Sequence, residues 1–530
     1  MDDTQDNQEF TVEEADTNGT TSAESSQSSA HSDRDDNSQE AQKSKPSLPP
    51  IFQQIRAQLN TLMASQTMTA LSKALTVLHS VFKKRPRFPY LLYIMVMAIV
   101  DSAAVLFIQW GTYTEPTYTA PSTVDETTRL MNSIRGQLTR FVAQMWMEQK
   151  YIWLLNFCVL GMVYLVLIFV LNRFWVATAL FAIITSVFAV ANHIKIQLRN
   201  EPVIPSDLSF ISSGNGGEVA SFIPKDSQAL VNNTITMLVW LTIACLLLQF
   251  IDGRRCVISF HWRRPLRNTK TIIGNCTRIV AVIVSTSLLC SFTLNLNTVG
   301  SWSHNWAQAL GDSPTLWDAA GDASLNGPTI NFLRLANPKT MTKPSDYSQA
   351  TMQEIAQRYN KIAEKTNQSR SNNLTDNTMI MILSESFSDP TRVPGITLSE
   401  DPMPNIRALK NTTTSGLMLS PGYGGGTANI EYQALTGWDL ALFDNSMQVP
   451  YQQLVPHQKV TETFNQLWND RYGASGSIAF HPYYKNMYLR DIDYKKFGFS
   501  HFYTLDSNPP ITHHDGLDNS PYASDAEAYQ

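Results

Sequence analysis

Cysteine is scarce, and none of the five in the chain lies beyond Cys290. Whatever follows that point carries no disulfide, so its stability has to come from core burial or bound metal. Charge is also sparse: 16% of the 530 residues are Asp, Glu, Lys or Arg, and the net charge is -5. No nucleic-acid partner is expected. Large apolar residues are almost missing from residues 1–50, which are rich in Ser, Gln, Asp and Glu. Such a stretch cannot bury enough surface to offset its ordering entropy, and a disordered acidic cytoplasmic tail is expected. The tail has no apolar centre of the kind a cleaved export signal needs. A P-loop is missing too, because the glycine run at 424–426 lacks the lysine-then-Ser/Thr ending.

What the chain does have is long apolar runs. Five of them, at 88–110, 151–172, 174–194, 233–251 and 277–297, approach the ~20 residues that cross a bilayer. Only Asn172 and Arg173 separate the second from the third, which requires a tight helical hairpin. Basic residues set the orientation. They cluster at Lys83–Arg87, at Arg173, and from Arg254 to Lys270, and five spans bring all three clusters to one side. The N-terminus is then cytoplasmic and everything after the last span extracellular. Asp101 interrupts the first span. A carboxylate at that depth is a functional candidate, and equally a structural one facing neighbouring helices.

The domain plan follows. Residues 51–86 carry helical apolar spacing and are expected along the membrane surface, before a five-span domain at 87–299. Residues 300–376 are polar, with Trp302, Trp306 and Trp317 near the membrane end, and predict linker helices including an amphipathic one at 348–366.

From residue 377 strands and helices alternate, which predicts an α/β domain with a largely parallel central sheet. Met379–Leu383 suits a strand buried on both faces, Ser415–Ser420 a second, and Ser475–Phe480 a third. Helices are expected over 427–436 and 461–473. Ligands bind beyond the carboxyl ends of strands in such sheets. Glu385, Thr427 after the glycine loop, and His481 each stand at such an end, with Arg490 nine residues further on. Each has a plain structural reading as well. A glutamate can face a helix dipole, a threonine can cap a helix, a histidine can fill a core, and an arginine can lie on the surface. Their convergence on one sheet edge is what favours chemistry.

The ordered segments "MILSESFSDPTRVPG", "TTSGLMLSPGYGGGTANIEYQALTG" and "AFHPYYKNMYLRD", with "NGPTINFLRLANPKTMTKPSDYS" ahead of them, resemble the lipoteichoic acid synthase family. Its members are membrane phosphoglycerol transferases whose outer head belongs to the alkaline phosphatase/sulfatase superfamily. The resemblance covers roughly 85–530 and implies a sulfatase-like fold. By the same resemblance Glu385 binds a divalent metal, Mn²⁺ or Mg²⁺, and Thr427 is both metal ligand and nucleophile. His481 and Arg490 contact the glycerophosphate. Phosphatidylglycerol is the implied donor, and a cell-envelope glycolipid or polymer the acceptor.

Two departures matter. The best-known members have lysine where this chain has Gly426, and the Gly-Asp-His-type motif that completes their metal site is absent. Residues 377–530 are therefore expected to be the N-terminal part of the catalytic domain, in a chain cut from a longer enzyme. Three alternatives stay open. One is a catalytically inactive membrane scaffold. A phosphoethanolamine transferase is disfavoured by the missing cysteines, and a sulfuric ester hydrolase by threonine in place of a modifiable Cys or Ser.

Overall fold

A computed structural model describes residues 85–511, except 117, 119–123, 210–222, 385–386, 421, 423–425 and 474–475, together with 524 and 526. The expected tail at 1–50 and all but the last two residues of the surface helix at 51–86 lie outside the described residues.

Five helices are long and apolar enough to cross a membrane. The first is α1 (Tyr90–Trp110), which starts after Pro89 and ends at Gly111. Two short helices follow, α2 (Glu126–Asn132) and α3 (Ile134–Met147). Then come α4 (Ile152–Leu171), α5 (Phe174–Arg199), α6 (Gln228–Ile251) and α7 (Thr269–Asn295). Both α6 and α7 begin several residues before their apolar runs. Hydropathy marks only the apolar part of a helix, whereas the backbone ladder of α7 extends to a cap, where Asn268 accepts from Thr271 N at 2.8 Å.

The hairpin between α4 and α5 closes on Asn172 in the left-handed conformation, φ 55°. Its side chain exchanges two 2.8 Å hydrogen bonds with the backbone of Ile258. Asp252, fully buried, accepts from the Tyr93 hydroxyl, from Trp175 Nε1 at 3.1 Å and from Arg254 N at 2.8 Å. These bonds gather residues 85–93, 172–175 and 252–258 at one end of the bundle. At the other end Gln109 donates to Ser324 O at 2.9 Å, and Tyr151 N donates to Leu310 O at 2.8 Å. Each long helix therefore runs from end to end, the arrangement that five spans require. Between the ends Tyr164 stacks on Phe181 at 4.2 Å and donates to Thr178 at 2.6 Å. Asp101 is 1% exposed, and neither carboxylate oxygen has a hydrogen-bond partner among the described residues.

Beyond the bundle, α8 (Trp302–Ala309), α9 (Ala319–Asn326) and α10 (Pro328–Leu335) form a packed collar. Its centre is Arg334, 1% exposed, which donates to Asp312 at 2.6 Å and to Asp322 at 3.1 Å. Asn326 and Asn331 take up further acceptor positions on Asp322. Gly327, at φ 92°, joins α9 to α10 directly against Asn156 of α4. The amphipathic helix is present as α11 (Gln349–Asn367), and none of its residues is buried.

The C-terminal region holds α12 (Pro404–Leu409), α13 (Thr427–Thr436), α14 (Pro450–Gln453), α15 (Gln466–Tyr472) and α16 (Arg490–Lys496). Its sheet departs from expectation. Among the described residues there are two strands, β1 (Ile478–Phe480) and β2 (His501–Tyr503), paired in parallel from Ile478↔His501 to Phe480↔Tyr503. Residues 379–383 and 415–420 are irregular. They carry strand-like sequence but pair with no strand among the described residues, and their side chains stay exposed, Leu419 at 90%. An apolar run becomes a strand only when another backbone pairs with it. The core here is instead aromatic, with Tyr432, Phe443, Tyr451, Tyr494 and Phe497 packed between α13, α14 and α16.

Candidate active site

The glycine before Thr427 has a conformational reason. Gly426 is the N-cap of α13 at φ 83°, ψ 24°, a left-handed geometry that glycine adopts at little cost. Among the described residues a Cβ there would meet only Asn429 Nδ2, at 4.0 Å, so backbone torsion rather than crowding is what favours glycine. Asn429 N donates to Gly426 O at 2.8 Å, and its side-chain amide donates to Gln448 O at 2.8 Å, which anchors the turn. Thr427 opens the helix, at the end where unpaired amide groups and the positive dipole end concentrate.

One turn further, on the same face of α13, stands Glu431. Arg490 grips it at two points, Nε to Oε2 at 2.9 Å and Nη2 to Oε1 at 2.6 Å, and the Tyr494 hydroxyl donates to Oε2 at 2.9 Å. Arg490 is 1% exposed. Burial alone would raise the Glu431 carboxyl, but the Arg490 guanidinium and the hydrogen bonds outweigh it and hold the carboxyl below its ordinary value. The arginine is held correspondingly more firmly in its charged form.

His481 follows β1 directly, and its backbone N extends the ladder to Tyr503 O at 2.9 Å. Burial, then the Arg490 charge, pull its pKa down to about 3, against an opposing pull from Glu431. It is therefore a neutral imidazole near pH 7, and its Nδ1 is buried without a hydrogen-bond partner among the described residues.

Arg490 sits above the Tyr488 ring at 5.4 Å and the Tyr451 ring at 6.0 Å. Tyr488 and Leu489 are both left-handed, φ 57° and 61°, which for bulky residues is stored strain. Their neighbour Asp493 is fully buried, and neither oxygen is hydrogen-bonded among the described residues. Burial, then the nearby Asp491, push its pKa up to about 9.

Of the four residues expected in the site, Arg490 and His481 both act on Glu431, which lies one helical turn after Thr427. Glu385 lies outside the described residues. The described residues do not by themselves form a cage for a dication. No three His, Cys, Asp or Glu side chains converge among them, and both oxygens of Glu431 are engaged. Sequence reasoning missed Glu431, Tyr494 and Asp493. The available signal was spacing, since Glu431 is four residues after Thr427 and Tyr494 four after Arg490.

Comparison with known proteins gives three findings. The sulfatase family model matches residues 377–529. A putative cyclic beta-1,2-glucan modification protein of Rhizobium meliloti (strain 1021) is 27% identical over 339 residues, 63% of this chain and 47% of the relative. Among solved structures, Streptococcus pyogenes phosphoglycerol transferase GacH in complex with sn-glycerol-1-phosphate is 41% identical, covering 36% of this chain and 48% of that one, with a TM-score of 0.33. The chain spans about half the length of each. The sulfatase match falls on the region that follows the five long apolar helices.

Proposed function

We propose that this sulfatase-superfamily region, joined to five apolar helices, is a phosphoglycerol transferase working at the outer face of the cell membrane. The observation that carries the reading is Thr427 at the head of α13, immediately after a left-handed glycine, with Glu431 and Arg490 locked one turn behind it. The Thr427 hydroxyl oxygen attacks the phosphorus of phosphatidylglycerol. An Oγ1–P bond forms, the P–O bond to diacylglycerol breaks, and the threonine proton ends on the departing diacylglycerol oxygen. In the second half an acceptor hydroxyl attacks phosphorus, the P–Oγ1 bond breaks, and the acceptor's proton returns to Thr427. First-turn amides and the helix dipole stabilise charge developing on the phosphoryl oxygens. His481 and Arg490 are the proposed contacts for the glycerophosphate, Arg490 chiefly by fixing α13 against α16.

A divalent metal, Mn²⁺ or Mg²⁺, belongs to the proposal on Glu385 and Thr427. Bound there, it would lower the pKa of the hydroxyl. The acceptor is a cell-envelope glycolipid or polymer. The name of the Rhizobium relative favours a carbohydrate polymer, and a lipoteichoic acid chain is the acceptor the sequence resemblance favours.

The test is transfer of labelled glycerophosphate from phosphatidylglycerol by the full chain in lipid nanodiscs. Thr427→Ala abolishes transfer and the phosphothreonine adduct detectable by mass spectrometry, with unfolding temperature unchanged. Turnover surviving in that variant would remove Thr427 as the nucleophile.

A further inference from the structure

A second feature of the molecule lies where the bundle meets the C-terminal region. A cavity of about 700 Å³ opens at the ends of α1 and α5, lined by Tyr113, Glu115, His193, Gln197, Arg199 and Asn200 among others. That volume is in the range of small-molecule sites. Its depth in the chain is informative: α1 and α5 are two of the five apolar helices, and the cavity sits at the ends where they stop. Trp110, the last residue of α1, stacks on His193 at 4.4 Å. Aromatic rings at a helix end are the signature of the headgroup layer.

The lining carries phosphate-recognising chemistry. His193 is 7% exposed, and its Nδ1 has no hydrogen-bond partner among the described residues. Its Nε2 lies 2.9 Å from the Gln197 amide nitrogen. With the amide donating to Nε2, the ring proton resides on Nδ1, which is a buried donor without an acceptor. Arg199 adds the cation. Its contact with Glu201 is long, 3.8 Å, Lys195 has taken Asp207 at 2.7 Å, and the side-chain hydrogen bond of Arg199 goes to Tyr488, so no carboxylate holds Arg199 closely. Glu115 is the one acid among the described lining residues, and it accepts from Ile134 N at 3.2 Å.

Arg199 also reaches the catalytic region. Its guanidinium lies 5.7 Å from the centre of the Tyr488 ring, and Arg490 lies 5.4 Å from the same ring. A single aromatic side chain thus separates the cation of the cavity from the arginine that fixes Glu431 and the Thr427 helix.

We infer that this cavity binds the glycerophosphodiester headgroup of an anionic phospholipid, with Arg199 and His193 on the phosphate, one Tyr488 ring away from Arg490. The inference rests on the transfer reading above and names where its lipid substrate docks before its phosphate passes to Thr427, His481 and Arg490. The shared chemistry could be offered by free glycerol phosphate, so the experiment separates the two sources.

Full-chain protein carrying Thr427→Ala, which cannot turn over, is reconstituted in phosphatidylcholine nanodiscs, and binding of a fluorescent phosphatidylglycerol is titrated. Adding Arg199→Gln weakens binding about tenfold, as expected for one charge-assisted contact. Arg199→Lys restores most of it. His193→Phe keeps the stack on Trp110 and weakens binding several-fold. Unchanged affinity in both Arg199→Gln and His193→Phe overturns the inference, as does an equal loss for a fluorescent phosphatidylcholine. Soluble sn-glycerol phosphate that displaces the probe at the lipid's own affinity overturns the lipid assignment. Failure of the transfer reading shows elsewhere, as turnover by Thr427→Ala alone.

Discussion

Arg490 and Glu431 meet through two hydrogen bonds of 2.9 and 2.6 Å, and both belong to helices that pack against the same aromatic core. The pair fixes the helix that Thr427 begins, so its loss is felt in stability and in alignment together.

Replacing one partner leaves the other as a buried, uncompensated charge. Arg490→Met or Glu431→Gln should therefore lower the stability of the C-terminal region by about 3–5 kcal/mol. The double variant should recover much of that loss, because no stranded charge is left. Denaturant unfolding of the full chain in detergent, followed by Trp fluorescence, measures the cycle. Additive losses would show that the two residues are not coupled.

Asp493 gives a pH dependence of definite sign. Its folded pKa, about 9, lies above the ordinary carboxyl value of 3.8 that holds in the unfolded chain. Between those values the folded state holds a proton that the unfolded state releases, so stability falls as pH rises through the window. The slope from this one group is about 1.4 kcal/mol per pH unit at most. Asp493→Asn removes it, so the variant should gain on the parent steadily from pH 5 to pH 8. Parallel stability curves for the two proteins would contradict the assignment.

Gly327 is predicted to tolerate no side chain. A Cβ there would come within 2.3 Å of the Asn156 side chain, at a backbone φ of 92°. Gly327→Ala should disturb the bond from Asn156 to Asn326 O and cost about 1–3 kcal/mol. A thermal shift of several degrees is the expected reading, and an unchanged unfolding temperature would mean that the collar relaxes freely.

The bundle was legible because crossing a bilayer demands long apolar helices, and hydropathy reads that demand directly. Helix bounds moved where polar residues carry no apolar signal, at the first turns of α6 and α7 and over the last residues of α5. The helix over 427–436 was legible for a local reason as well, a glycine able to turn left before a capped start. The strands at 379–383 and 415–420 were not, because pairing depends on a distant backbone that composition does not reveal. Thr427, His481 and Arg490 could be picked out as chemistry-bearing residue types near expected strand ends, of which only the one before His481 is a strand among the described residues. Glu431, on which Arg490 and His481 act, could not, since a glutamate inside a helix usually faces solvent, and only the fold shows Arg490 turned towards it.

The contacts across the junction have a mechanical consequence. Gln452 bonds Ser209 at 2.8 Å, Lys339 N bonds Ser446 at 2.9 Å and Gln448 bonds Leu316 O at 3.1 Å, alongside the Arg199–Tyr488 contact. A region moored at so many points holds Thr427, the proposed nucleophile, at one position relative to the five apolar helices, like a fixed stylus. On the proposed chemistry, a growing acceptor must then be drawn past Thr427 after each addition, with the enzyme holding still while its product moves.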